Sequence, residues 1–411
     1  MAQLLVEYPQ RDCRPTEFGP LARGADGVLR YGNLNPALTE LLDVQVHAFS
    51  TREAVVEIGG PRLTYRQLWH SASRIAGGLQ EHGIGYGDRV AVHLPVGVRW
   101  VQAFLGALLS GAVPVLVHDG LPEDTARRVI ADSCADFVLS GSAQEFPDGA
   151  AFIDDGASLT ELALLCYTSG GVAQGDSIGP KGVELTNENL LSAIRSVVGA
   201  LDLPTDGLRN LVLLPLAHAS GCVDQLLPTF AVGGTVVLTP DPTLIAETIV
   251  AERIDMVSAT PRIFAGLLPE LAGLRAPGVS QVCSAGHRAE VAATDPGTAE
   301  VVTDALREVF PLARQWSVWG ATETSGIGLA LADCGESQAT DLLGFPFGGT
   351  ELALWGPRAG SGHGELLCRG PNVTRRYWND PQTTESRFTG TWFHTGNQVD
   401  IDADGLVHRA E

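Results

Sequence analysis

The sequence predicts an α/β protein in which strands and helices alternate through most of the chain, followed by a smaller β-rich region from about residue 341. Three observations lead there. With 411 residues and 45% apolar content, the chain can bury two or three sizeable cores, which excludes disorder, collagen-like structure and miniature disulfide folds. Apolar runs of strand length recur between stretches with helical spacing. Beyond Thr340 the runs shorten and Gly-rich turns separate them.

Taken in order, Arg89-Val-Ala-Val-His-Leu94 reads as a buried strand, Gly97 to Ser110 as a helix and Val113-Pro-Val-Leu-Val117 as a second strand, together a βαβ unit. The apolar stretch 101–117 is too short for a bilayer and is interrupted by Gly106, Gly111 and Pro114, so it reads as core. Similar units follow at Asn210–Leu214, at Gly234–Leu238 with the helical Leu244–Glu252, and at Met256–Ala259. In the β-rich region the clearest strands are Glu351–Trp355 and Gly364–Cys368. The best loop candidates are 141–157 and 171–179. Residues Asp402–Glu411 read as a hairpin turn entering an unfinished strand, and a domain boundary is expected there.

Composition narrows the function classes. A formal charge of −21 and a pI near 4.8 argue against a nucleic-acid or anionic-membrane partner. Seven cysteines, scattered and odd in number, suggest a reducing compartment and no zinc site. The N-terminus has neither the basic region nor the apolar run of a signal peptide, so a cytoplasmic location is expected. Almost every basic residue is Arg; the one lysine in the sequence is Lys181. Either an ammonium is needed there, or a composition biased toward Arg has left a survivor.

Lys181 lies in the richest segment, 164–190, which reads as a strand, a Gly/Ser loop and a helix. Such loops present backbone N–H groups and a cation to phosphate, although a mobile surface turn would have the same composition.

Here the residues become specific. Thr168, Ser169 and Gly170, with Gly179-Pro-Lys-Gly-Val-Glu-Leu-Thr186, resemble the phosphate-binding loop of the adenylate-forming superfamily of acyl-CoA ligases, luciferases and nonribosomal adenylation domains. Leu63–Leu68, Leu108–Pro114, Pro215–Gly221, Trp319-Gly-Ala-Thr-Glu323, Gly364–Tyr377 and Trp392-Phe-His-Thr-Gly396 resemble its other signatures, in the family's order, from about residue 60 to 411. The resemblance implies two α/β subdomains with central sheets flanked by helices (1–340) plus a smaller β-rich subdomain (341–411). It also implies a small C-terminal domain that this chain does not carry, and ligands at strand C-terminal ends where the subdomains meet.

The implied roles suit the residue types. Trp319 offers a face for adenine, with Gly320 beside it; Thr322 offers a hydroxyl to the α-phosphate and Glu323 a hard carboxylate to Mg²⁺. Core packing is the alternative for Trp319. Ser284, Ala285 and Gly286 occupy the family's strand end against the purine. His218 matches a position beside the acyl and pantetheine channels, or is a satisfied interior histidine. His218, Thr322 and Glu323 are the expected catalytic groups. The expected ligands are the AMP moiety of an acyl-adenylate, ATP, Mg²⁺ and coenzyme A.

Three departures alter that expectation. The family's Ser-Gly-Thr-Thr-Gly-x-Pro-Lys-Gly is lengthened here so that nine residues (171–179) separate Gly170 from Pro180, with Gly171 and Val172 in place of the threonines and Asp176 adding negative charge. Asn397 stands where the family has an aspartate for the ribose hydroxyls, and it accepts with one oxygen and no charge. Arg376 replaces a glycine. The adenine and α-phosphate end looks kept and the pyrophosphate end damaged, unless the longer loop reaches phosphate through backbone N–H groups and Ser177.

The expected function is therefore an acyl-CoA ligase, restricted to forming the thioester from preformed acyl-adenylate or else fully ATP-dependent, with a non-catalytic acyl-adenylate binder as the rival. The restricted form needs a separate adenylating enzyme as partner. Amino-acid activators of the family carry an aspartate in the segment matching 217–220; its absence points to a non-amino carboxylic acid, such as a terpenoid or aryl acid of secondary metabolism. Small residues at Ala219, Ser220, Gly221 and Gly326 suggest room for a bulky one.

Overall fold

The computed structural model describes residues 4–8, 21–141, 145–168, 179–285, 298–332 and 342–410. It is a mixed α/β protein built on two large sheets with helices against them.

In the five-stranded sheet, Phe137–Ser140, Arg89–His93, Val113–Leu116 and Leu162–Tyr167 run parallel, and Gly182–Thr186 returns antiparallel beside the last of them. The predicted βαβ unit is present, with its helix at Val98–Leu109. That helix packs on Tyr65–Glu81, which starts at a capping box: Thr64 accepts from Gln67 N, and the Gln67 side chain accepts from Thr64 N. Alternation along the strands supplies both faces. Val90, Val92 and Cys166 join the main core, while Ala91, Val115 and Leu165 pack with Ala126 and Val129 of the helix Glu123–Asp132.

The second sheet has fifteen strands. Its parallel half places Glu53–Glu57, Thr235–Leu238, Arg209–Val212, Met256–Ala259, Gln281–Ala285 and Arg314–Ala321 side by side. Val236 and Leu238 face the main core; Val237, between them, faces a second core under the helices Pro261–Leu271 and Thr298–Val309. Apolar on both faces, these strands need helices on both sides.

The β-rich region is continuous with that sheet. Leu342–Pro346 pairs with Gly326–Ala332 on one edge and with Val407–Arg409 on the other, and Trp392–Ile401, His363–Arg369 and Glu351–Gly356 follow. The strand Leu4–Tyr8 from the N-terminal end pairs antiparallel with Glu351–Gly356, so the division at 340 is not strictly sequential. Among the described residues no helix is long and apolar enough to cross a membrane, and Cys134, Cys166, Cys222, Cys283 and Cys368 are free thiols.

Candidate active site

The segment holding Lys181 is a hairpin. Gly182 pairs with Tyr167 and Val183 with Cys166. Thr168 closes the base, its N–H donating to Lys181 O and its Oγ1 accepting from Lys181 N, both at 3.0 Å. A hairpin clamped at its base holds Lys181 in place whatever the length of the loop beyond it. Ser169, Gly170 and the altered positions 171–178 lie outside the described residues.

The expected passage from loop directly into helix is corrected. The strand Gly182–Thr186 intervenes before the helix Asn187–Ala200, whose first turn is capped by Thr186 and Asn189. No helix N-terminus therefore follows the lysine directly. The composition hid this strand because Val183 and Leu185 suit either element.

The Lys181 ammonium is held within the protein. It donates to Thr383 Oγ1 at 2.7 Å, lies 3.9 Å from Asp380 Oδ2, and sits 6.0 Å from the centre of the Tyr377 ring. Asp380 caps the helix Pro381–Arg387 through Thr383 N.

Across Tyr377 lies the turn predicted to meet the nucleotide. Arg314–Ala321, with Gly320 exposed near its end, passes into a 3₁₀ turn, Thr322–Thr324, with Thr322 and Glu323 half-buried. The Tyr377 hydroxyl donates to Glu323 Oε1 at 2.6 Å. Beneath the turn, Thr374 N donates to Glu323 O (2.8 Å), the nearly inaccessible Asn372 donates through Nδ2 to Thr324 O (3.0 Å), and Ser325 Oγ donates to Asn372 O (2.6 Å). Two motifs some fifty residues apart are thus laced into one support.

Trp319 departs from expectation. Its indole is 3% exposed and packed in the main core, with its ring reaching the space that a side chain at Gly328 would enter. Among the described residues the core-packing alternative describes it, because residue 319 points inward on a strand covered on that side.

His218 precedes the short turn Ala219–Gly221, where Cys222 N donates to its carbonyl at 2.9 Å. Its ring meets that of His118 edge to face, with centroids 4.9 Å apart. Burial, and then the neighbouring His118, lower its pKa to about 4, so the imidazole is neutral at physiological pH. His118 follows the strand Val113–Leu116 of one sheet and His218 follows Arg209–Val212 of the other, so the pair joins segments that leave the two sheets.

The glycines beside it do not supply acyl room. A Cβ at Gly221 would fall 2.1 Å from Pro215 O, and one at Gly326, whose φ is +95°, would fall 2.1 Å from Asp224 Oδ1. Protein atoms already fill both spaces. Asp224 is buried in a π-helical turn, Cys222–Leu226, and accepts from Ile327 N at 2.9 Å; burial raises its pKa well above the usual carboxylate range. Ala219 lies buried with its backbone against the Cys166 thiol, which burial pushes up to about 12.

The expected nucleotide contacts at 284–285 and 397 sit on strands, the first pair at a strand end and Asn397 in mid-strand. Ser284 and Ala285 close the strand Gln281–Ala285, while Gly286 lies outside the described residues. Asn397 is half-buried on Trp392–Ile401, where its Nδ2 donates to Thr395 O at 3.0 Å and leaves Oδ1 to accept.

The donor set at Glu323 suits Mg²⁺, which commonly takes one or two carboxylates and completes its shell with phosphate oxygens and water. Among the described residues no group of three His, Cys, Asp or Glu side chains could cage a metal. Sequence reasoning missed Tyr377, Thr383, Asp380, His118 and Asp224. Tyr377 lay within a quoted motif but carried no role, and the other four had no local signal.

Comparison with known proteins bears on the family and the fold. The family described as AMP-binding enzyme matches residues 42–155 and 142–378. A feruloyl-CoA synthase from an Amycolatopsis species is 28% identical over 389 residues, covering 87% of this chain and 75% of the relative. A 2-succinylbenzoate–CoA ligase from Bacillus velezensis is 26% identical over 372 residues, covering 84% and 72%. The crystal structure of the N-terminal domain of FACL13 from Mycobacterium tuberculosis has a TM-score of 0.76 at 25% identity, covering 92% of this chain and all of that one. In fold, O-succinylbenzoate coenzyme A synthetase from Bacillus subtilis, in complex with ATP and magnesium ion, matches with a TM-score of 0.78 at 24% identity, covering 92% and 79%.

Proposed function

The chain belongs to the AMP-binding enzyme family, and on that premise we propose that it is an acid–thiol ligase working chiefly in the thioester-forming half-reaction. It takes the acyl-adenylate of a non-amino carboxylic acid, joins the acyl group to coenzyme A and releases AMP. The thiol sulfur bonds to the acyl carbon, the bond from that carbon to the AMP phosphate oxygen breaks, AMP keeps the electron pair, and the thiol proton passes to solvent. This step never touches pyrophosphate.

The observation that carries the reading is the engagement of Lys181. Its ammonium donates to Thr383 and has the Asp380 carboxylate 3.9 Å away, so part of the positive charge expected to meet the β- and γ-phosphates is met by protein. The lengthened loop, with Gly171 and Val172 for threonines and Asp176 added, acts in the same direction. Adenylation needs charge stabilised on departing pyrophosphate, and this end of the site is poorly equipped for it. The AMP end keeps Thr322 and Glu323 on a braced turn. Glu323, with Thr322 beside it, would hold Mg²⁺, whose chemistry there is to neutralise phosphate charge.

The acid has no ammonium to be met. Residues 217–220 read Ala-His-Ala-Ser, and the nearby Asp224 is buried with its carboxylate accepting from Ile327 N rather than facing a ligand. His218, neutral and against His118, stands at the position that in the adenylate-forming family lies beside the acyl and thiol channels, and we assign it that place here. The acyl-adenylate must then come from a separate adenylating enzyme.

A second reading, a fully ATP-dependent acyl-CoA ligase, is favoured by the Thr168–Lys181 clamp, which lets a longer loop reach phosphate from an unchanged base. Two assays on the whole protein separate the readings. The first predicts no acid-dependent exchange of pyrophosphate into ATP, together with CoA-dependent consumption of synthetic acyl-adenylate. Rapid exchange would establish the second reading, and preference for any α-amino acid would overturn the substrate class.

A further inference from the structure

We propose that Tyr377 is a positioning residue for the Glu323 carboxylate, holding Oε1 so that Oε2 is turned toward the divalent cation that accompanies the nucleotide. The proposal rests on the reading above that Glu323 takes that cation. A glutamate has three rotatable side-chain bonds, and a half-buried one on a short turn has little packing to select its rotamer. The hydroxyl of Tyr377, 2.6 Å from Oε1, supplies the missing restraint.

Tyr377 is itself rigid. It is 4% exposed, its N–H donates to Thr384 Oγ1 at 3.0 Å, and it bridges to Val183 on the lysine hairpin. Other contacts under the turn, from Thr374 and Asn372, reach only its backbone. Tyr377 reaches the carboxylate, and its ring also packs beside the Lys181 ammonium. One side chain therefore fixes the spacing between the cation-binding carboxylate and the lone lysine.

The test is Mn²⁺ binding to the 411-residue chain with AMP or ATP present, followed by electron paramagnetic resonance of the free ion, in the parent, Tyr377→Phe and Glu323→Gln. Phenylalanine keeps the buried ring and removes only the hydroxyl. Tyr377→Phe is expected to weaken Mn²⁺ about tenfold, the usual effect of losing a hydrogen bond to a charged group, and to leave metal-free AMP affinity unchanged. A Tyr377→Phe variant that binds Mn²⁺ like the parent, while Glu323→Gln does not, overturns the positioning role and leaves Glu323 its cation. Equal weakening of metal-dependent and metal-free binding also overturns it, as that marks a general loss of structure. If Glu323→Gln changes nothing, or the parent binds no Mn²⁺, the metal role of Glu323 falls and the proposal with it.

Discussion

Arg376 Nε donates to Glu184 Oε2 at 2.6 Å, and this pair accounts for an arginine where the adenylate-forming enzymes have glycine. Glu184 sits on the lysine hairpin with only 10% of its side chain exposed, whereas Arg376 is 68% exposed. The hairpin has taken up a carboxylate in its wall, and the arginine answers it from the facing segment. Arg376→Gly should lower stability by about 1–2 kcal/mol by leaving that carboxylate unpaired. The double change with Glu184→Val should recover most of the loss. Urea unfolding of both single variants and the double variant measures the coupling, which would be near zero if the pair were incidental.

The two site glycines are predicted to behave as packing positions. Gly326→Ala adds a left-handed backbone penalty to a clash with Asp224, and should cost about 2–4 kcal/mol. Gly221→Ala meets the Pro215 carbonyl and should also be destabilising. If these glycines merely left room for substrate, thermal unfolding of both variants would match the parent and only the acid preference would change.

His218 makes stability fall on the acid side. Its folded pKa, about 4, lies below the ordinary value of 6.5, so between those limits the unfolded chain binds a proton that the folded chain refuses. Stability from this group is complete above about pH 6.5 and is lost as pH falls toward 4. Between pH 7 and pH 5 the loss should be about 1–2 kcal/mol. His218→Gln should remove that part of the pH dependence in paired urea titrations; an unchanged slope would mean that His218 protonates freely.

Asp380 should weaken the lysine's hold on phosphate. Asp380→Asn preserves the cap on Thr383 N and removes a negative charge 3.9 Å from Lys181. ATP affinity, measured calorimetrically, should rise about threefold, as expected of a partly exposed ion pair. An unchanged affinity would show that the lysine already reaches phosphate unhindered.

The edge of the parallel sheet carries an ion network. Glu252 meets both Arg62 and Arg209, and those arginines, through their hydrogen bonds, hold its pKa below the usual carboxylate range. Glu252→Gln should cost about 1 kcal/mol at neutral pH, with the difference shrinking below pH 4 as the parent glutamate protonates. Denaturation of the two proteins across that range gives the comparison.

Local features were legible without coordinates. The runs at 89–117 and 234–259 were readable as strands and helices because apolar periodicity belongs to neighbouring residues. Thr322, Glu323 and Lys181 stood out because the segments that hold them resemble the signatures of the adenylate-forming superfamily, and their side chains suit the roles that the resemblance implies. By itself the sequence determined the α/β class, the family and the identity of those groups. Only the tertiary structure decided what each group is free to do. Glu323 meets a hydroxyl 54 residues away and Lys181 one 202 residues away, Trp319 is turned into the core, and the space at Gly326 belongs to Asp224. Such pairings arise only when distant strands close on one another, and nothing in the order of residues along the chain marks which side chain will arrive opposite.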